Sequence, residues 1–215
     1  VRFRKPTLLT VILGLVCLAI LLTLGSWQLD RRAWKAGLIA TIDQRMDLPA
    51  APLPAAIGPE WTYRRVTVQG DVVPGSWFRF PGRAKDGKVG DLLMLLIREP
   101  GGRLVLAEQD FVGFGEPLPP LPATAFVEGV LRQPSEPGLF TPDNDPAANH
   151  WYVVDPQAMA ANIEASGQGP VLPLYVVDKG WRAELPNNHL QYALTWFSFA
   201  VIFIVIFALF HRRRD

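Results

Sequence analysis

Two uncharged apolar runs, one near each end of the chain, constrain the fold more than any other feature. Residues 7–27 (TLLTVILGLVCLAILLTLGSW) contain no charge and no proline, and at 1.5 Å rise per residue they extend about 30 Å, the thickness of a bilayer core. Residues 190–210 (LQYALTWFSFAVIFIVIFALF) lack charge, glycine and proline alike. Both read as transmembrane helices. The first run follows Arg2, Arg4 and Lys5, as the apolar core of a signal peptide would. It is longer than the usual 7–15 residues of such a core, roughly, and ends in Gly25-Ser26-Trp27-Gln28 where a cleavage site would have small residues. A retained span is therefore expected.

Charge placement sets the expected orientation. Arg2, Arg4 and Lys5 precede the first span and Arg212, Arg213 and Arg214 follow the second, so the positive-inside rule puts both tails in the cytoplasm and everything between them outside. The residues between these tails hold 15 of the 21 Lys and Arg but 19 of the 20 Asp and Glu. An acidic translocated domain agrees with that topology. The formal net charge of +1 disfavours a nucleic-acid binder relying on a global basic field. A single cysteine excludes an internal disulfide framework and a cysteine-cluster metal site, and Cys17, in mid-span, reads as a small apolar residue.

Between the spans, 20 prolines and 18 glycines in the whole chain exclude an all-helical body. Trp34, Leu38 and Ile42 recur every four residues without a breaker, so the first helix is expected to continue past the membrane and stop before Pro49. Residues 47–60 carry four prolines and read as an extended linker, not a packed element. Strand character follows at 63–73, 76–80, 91–98, 103–111, 125–131, 150–155 and 171–178. One helix interrupts the strands, with Asp155 as its N-cap, Pro156 at its first position and Gly167 at its end. The expected layout is a tail at 1–6, a span at 7–28, a helical extension at 29–46, the linker at 47–60, a β-rich extracytoplasmic domain at 61–186, a second span at 187–210 and a tail at 211–215. The fold class is a membrane protein: two transmembrane α-helices flanking a mainly antiparallel, barrel-like β domain with one or two short helices.

Catalytic motifs are missing. No serine lies in a G-x-S-x-G elbow, and there is neither a phosphate-binding GxxxxGK[ST] loop nor an H-E-x-x-H pair. Asp143 and Asp145 sit in TPDNDP, a proline-bounded turn without the spaced ligands of a calcium loop. Gly113 and Gly115 in VGFGE read as turn glycines, because Pro117 blocks a phosphate-binding helix. An enzyme is not expected.

The informative residues gather where the two spans leave the membrane on the outer side. Pro186-Asn187-Asn188-His189 opens the second span with an Asn cap, and His189, Tyr192, Ala193 and Trp196 fall on one helical face. The first span delivers Gly25, Trp27, Gln28, Arg31 and Arg32 at the same depth. Two readings stand side by side. One is an interfacial belt of Trp, Tyr and snorkelling Arg. The other is a site for a large, flat, partly apolar ligand carrying acids, which needs an imidazole, aromatic walls and cations; haem fits that description. His150 falls in a predicted strand and reads as a surface or packing residue, and His211 as part of the cytoplasmic anchor.

Four blocks then carry a family resemblance, in order: LGSWQLDRRAWK at 24–35; Tyr63-Arg64-Arg65-Val66 with Gly70; FTPDNDP at 140–146, leading to Trp151-Tyr152 and Asp155; and NNHLQYALTWF at 187–197. In these the chain resembles a bacterial member of the Surfeit-locus family of cytochrome c oxidase assembly factors. The resemblance implies two spans around an extracytoplasmic domain in the bacterial inner membrane, and participation in building the haem a centre of oxidase subunit I. It implies transient haem a binding with His189 as the iron ligand, Arg31 or Arg32 pairing with the propionates, and Trp27, Tyr192 and Trp196 as walls. Its expected partners are oxidase subunit I and membrane lipid, with haem a synthase as a further candidate. The strand Tyr63-Arg64-Arg65 is either an oxidase-docking element or a half-exposed strand with solvated arginines. Where relatives have a V-N-R-G-W-like strand this chain reads Leu106-Ala107-Glu108-Gln109-Asp110-Phe111, which puts any contact of that strand in doubt. The alternative function is an accessory subunit that stays on the oxidase and braces it without haem.

Overall fold

The computed structural model describes residues 6–182 and 185–212; the tail cations Arg2, Arg4, Lys5, Arg213 and Arg214 lie outside the described residues. The chain forms two units, one from Val1–Thr41 with Ala183–Asp215 and one from Ile42–Arg182.

The first unit is a helix pair. Helix α1 runs unbroken over Leu8–Asp47, and helix α3 covers His189–His211. Both are long and apolar enough to cross a membrane. Their apolar side chains face outward instead of inward: Leu8 is 76% exposed, Val201 61% and Phe210 76%, which distinguishes them from the buried core helices of a globular domain. The half-buried positions of α1, Val11, Gly14, Leu18 and Leu21, followed by buried Gly25 and half-buried Gln28, recur at alternating steps of three and four. On α3, His189, Ala193, Trp196, Ala200, Phe203 and Phe207 do the same. This is the spacing of a two-helix seam. Small residues permit close approach: a Cβ on Gly14 would stand 3.0 Å from the Phe207 ring, and one on Gly25 only 2.5 Å from that of Phe197.

The second unit is a seven-stranded mixed sheet: β1 (Ala51–Pro52), β2 (Arg65–Val72), β3 (Phe78–Lys85), β4 (Lys88–Arg98), β5 (Leu104–Gly113), β6 (Thr124–Arg132) and β7 (Val171–Asp178). Strand order is β1-β2-β6-β7-β5-β4-β3, and a further β2–β4 pairing closes five of the strands into a small barrel. The expected antiparallel pairing dominates, but β1–β2 and β5–β7 are parallel. The β2–β4 seam has only two rungs, Asp71↔Arg98 and Val72↔Ile97. Gly70 lies beside it, where a Cβ would come within 2.0 Å of the Arg98 carbonyl oxygen. Val66, Val68, Leu95, Ile97, Val105 and Val176 form the barrel core. Met94 and Leu96 of β4, pointing the other way, are equally buried, so β4 is covered on both faces and reads in sequence as a continuous apolar run.

Several expectations are corrected. Residues 150–155 are not a strand. His150 makes only isolated bridges to Arg79 and Asp145, because side chains satisfy the backbone that a ladder would otherwise pair. The Asn144 side-chain oxygen accepts from Tyr152 N (2.8 Å) and Val153 N (3.0 Å), and the Asp145 carboxylate accepts from Ala148 N (3.1 Å). Trp151 is thereby turned inward, 1% exposed, edge-on to Phe78 with ring centroids 5.8 Å apart. TPDNDP is not itself the expected turn: residues 141–144 are irregular, and the turn lies at 146–149, closed by the Asp145–His150 bridge. The linker is also more than a tether: β1 pairs with β2 and Leu53 joins the barrel core, since proline keeps the chain extended without preventing it from packing.

Helix α2 covers Pro156–Asn162, with the Asp155 carboxylate accepting from Gln157 N (3.1 Å) and Ala158 N (3.0 Å) as expected. It ends earlier than Gly167. Glu164 adopts φ 55, and Glu164 N→Ala161 O (3.1 Å) with Ala165 N→Ala160 O (2.8 Å) makes a Schellman closure. Burial of the fully enclosed Ala165 supports this end.

On β5, Glu108 accepts from Asp178 N (3.2 Å), and burial raises its pKa above the ordinary 4.5 against smaller opposing effects of that bond and of Lys85. The unfolded chain releases this proton first as pH rises, so stability falls between the ordinary and the raised value. Glu108→Gln keeps an acceptor for Asp178 N. It is expected to match the wild type below the ordinary carboxyl range and to exceed it near neutrality in denaturant unfolding at the two pH values.

Candidate functional site at the end of the helix pair

The seam between α1 and α3 ends in polar residues. The Gln28 side-chain oxygen lies 2.7 Å from His189 Nδ1. One turn on, Asn187 Nδ2 donates to the Arg32 carbonyl (3.2 Å) and Lys35 Nζ to the Pro186 carbonyl (2.5 Å). These contacts tie the entry of α3 to one stretch of α1. They also use the Asn-Asn pair differently from expectation: the Asn188 side chain makes no capping bond, and Asn187 reaches across to the other helix.

The amide oxygen facing the ring assigns a tautomer. With Nδ1–H donating to Gln28, the neutral form of the ring carries its lone pair on Nε2, which is how an outer partner orients a ligating histidine. His189 is half-buried. Trp196, one seam turn further, is half-buried and edge-on to Phe199 (6.1 Å).

The other residues singled out from sequence lie off the seam. Trp27 is 54% and Tyr192 56% exposed, and Arg31 and Arg32 are exposed as well. Arg31 stacks over the ring of Trp34 at 4.0 Å, which holds its guanidinium along the helix surface. Thus His189 meets Gln28, while Trp27, Tyr192, Arg31 and Arg32 are exposed on the two helices and Trp196 is half-buried. An apolar groove of about 210 Å³, lined by Val11, Gly14, Leu18, Phe203 and Phe207 among others, runs farther along the same pair. Gln28 stands among the residues that the sequence places at this depth, but without a role there. Its three-and-four spacing from Gly14, Leu18, Leu21 and Gly25 is the signal that places it on the seam.

In the sheet unit, Tyr63, Arg64 and Arg65 each have an internal partner. Tyr63, at φ 69, donates its N–H to Leu131 O (2.7 Å) and stacks on Trp181 with centroids 6.0 Å apart. Arg64 lies 5.0 Å from the Trp61 ring centroid, and Arg65 pairs with Glu128 at 2.6 Å. His211 is buried, bonded through Nδ1 to Phe207 O at 2.8 Å. Among the described residues no cluster of three His, Cys, Asp or Glu side chains is arranged to hold a metal.

Comparison with known proteins gives a consistent result. The chain is 27% identical to a SURF1-like protein of Rickettsia felis, over 94% of this chain and 97% of that one. It is 27% identical to a SURF1-like protein of Monosiga brevicollis over 88% and 83%, and 28% identical to Surfeit locus protein 1 of Homo sapiens over 81% and 68%. Residues 15–201, which hold both the helix-pair contact and the whole barrel, match the SURF1 family description, and the chain belongs to the SURF1 family.

Proposed function

We propose that this protein is an assembly factor for cytochrome c oxidase that binds haem a at the outer end of its helix pair and assists its insertion into subunit I, without turnover of its own. The observation that carries this reading is the 2.7 Å contact between His189 Nδ1 and Gln28, which leaves Nε2 as a ligand atom for iron. The residues around it fit a haem. Trp27, Tyr192 and Trp196 offer faces to a planar body, and Arg31 and Arg32 offer cations to propionates. The groove beside Gly14 is apolar, which suits an isoprenoid tail. A single imidazole suits delivery better than two, since the iron must leave. In this reading the protein spans the bacterial inner membrane twice, with both tails cytoplasmic and the barrel periplasmic, and meets subunit I and haem a synthase there.

The test is the visible spectrum of protein purified from cells that make haem a. Wild type is expected to show haem absorption, His189→Ala to lose it, and Gln28→Leu to retain haem roughly 10-fold less well, as outer partners of metal ligands do. Unchanged haem content in His189→Ala overturns the assignment. Wild type without haem, purifying in equal amount with mature oxidase, instead establishes a permanent accessory subunit.

A further inference from the structure

A second site lies in the barrel unit and does not depend on the haem reading. A cleft of about 800 Å³ opens between β3, β5, β7 and the end of β6, with Phe80, Arg83, Glu108, Arg132, Tyr175 and Trp181 among its lining. Its volume is that of a small-molecule site, and polar and charged side chains share its lining with an apolar floor that includes Phe80 and Met94.

Arg132 is its focus. The guanidinium lies 4.4 Å from the centroid of Trp181 and 5.9 Å from that of Tyr175, and Tyr63 stacks on Trp181 nearly parallel to it, at 12°. A guanidinium held against rings this way has lost most of its rotameric freedom before any ligand arrives. Its Nε is buried without a hydrogen-bond partner. Among the described residues no carboxylate lies within ion-pair distance of Arg132, Arg83 or Lys85.

Of the three acids that line the cleft, Glu108 and Asp178 are engaged by backbone, and Glu136 is exposed. Asp178 accepts from Gly180 N at 2.7 Å and Glu108 from Asp178 N at 3.2 Å. Burial also disfavours the charge on Glu108. Three cations, Arg83, Lys85 and Arg132, therefore line the cleft with two acids turned toward backbone and Glu136 exposed, beside aromatic and aliphatic walls. We propose that this cleft binds a small aromatic carboxylic acid, its carboxylate paired with the Arg132 guanidinium and its ring set among the apolar side chains of the floor.

The experiment uses 2-naphthoate as the probe and 2-naphthylmethanol as its uncharged counterpart, titrated by calorimetry into the full chain in lipid nanodiscs, with empty nanodiscs as the blank. Saturable naphthoate binding above the blank is expected. Affinity should fall at least tenfold in Arg132→Gln, and the uncharged probe should bind wild type at least tenfold more weakly. Near-UV circular dichroism checks folding. If Arg132→Gln does not fold, the double variant Arg83→Gln with Lys85→Gln, at two exposed positions, should lose at least threefold. Naphthoate heats equal to the blank, or affinity unchanged in the folded variant, overturn the proposal.

Discussion

Trp151→Ala is expected to lower the unfolding free energy of the barrel unit by about 3–5 kcal/mol, the range for emptying a buried indole from a packed core. Trp151 is only 1% exposed, lies edge-on to Phe78, and donates through Nε1 to the Asn149 side chain at 3.0 Å. Its main-chain N–H donates to the Arg79 carbonyl at 2.9 Å, and the Asn149 amide donates to the Trp77 carbonyl at 2.7 Å. The side chain thus pins an irregular segment to the start of β3. Its loss leaves a cavity and an unpaired Asn149 acceptor. Trp151→Phe should be milder, at roughly 1–3 kcal/mol, because the ring contact is partly kept while the polar one is lost. Denaturant titration of the full chain followed by near-UV circular dichroism measures both. An alanine variant within about 1 kcal/mol of wild type would show that the segment is held by its polar turn alone.

Gly25→Leu is the second large effect, and it acts on the helix pair. A single added Cβ would meet the Phe197 ring at 2.5, 2.7 and 2.9 Å, and a leucine adds three more carbons at the tightest point of the seam. Overpacking of this kind costs about 1–3 kcal/mol where neighbours can shift. The neighbour here belongs to the helix that carries His189, so the shift should also break the Gln28–His189 contact one turn away. Gly37 gives the contrast: nothing lies within 4 Å of a Cβ there, and Gly37→Ala should stabilise α1 by up to about 1 kcal/mol through helix propensity. Titration of detergent-solubilised protein with sodium dodecyl sulfate, followed by tryptophan fluorescence, should move the two midpoints in opposite directions. A Gly25→Leu midpoint at or above that of wild type would falsify the close-packed seam.

What could be read from the sequence was local. The long apolar runs and the Asp155 cap each depend on neighbours within a few residues, and each forms as expected, while the turn expected in TPDNDP falls at 146–149. Six of the seven expected strands appear for the same reason, their boundaries moved by a few residues. Residues 150–155 have the β-branched and aromatic content of a strand, but Asn144 satisfies their backbone from outside the segment, and no window over 150–155 contains Asn144. The pairing of Ala51 with Val66 was likewise hidden, because two residues beside prolines have no periodicity. At the helix pair, His189 could be picked out by residue type and position, whereas Gln28, named at the same depth, gains its role as the partner of His189 only from the seam. The Arg132 cleft was out of reach, since β3, β5, β6, β7 and Trp181 converge there only after the sheet has closed.

That closure turns on one hydrogen atom. With two rungs joining β2 to β4, the difference between a sealed cylinder and a sheet with two free edges rests on how near the chain can come at Gly70, and any larger residue would hold the Arg98 carbonyl away. A glycine in a family block invites a search for a ligand that passes close to it. Here what passes is the protein's own main chain, so the residue governs whether an interior exists, and only through that, what the interior can hold.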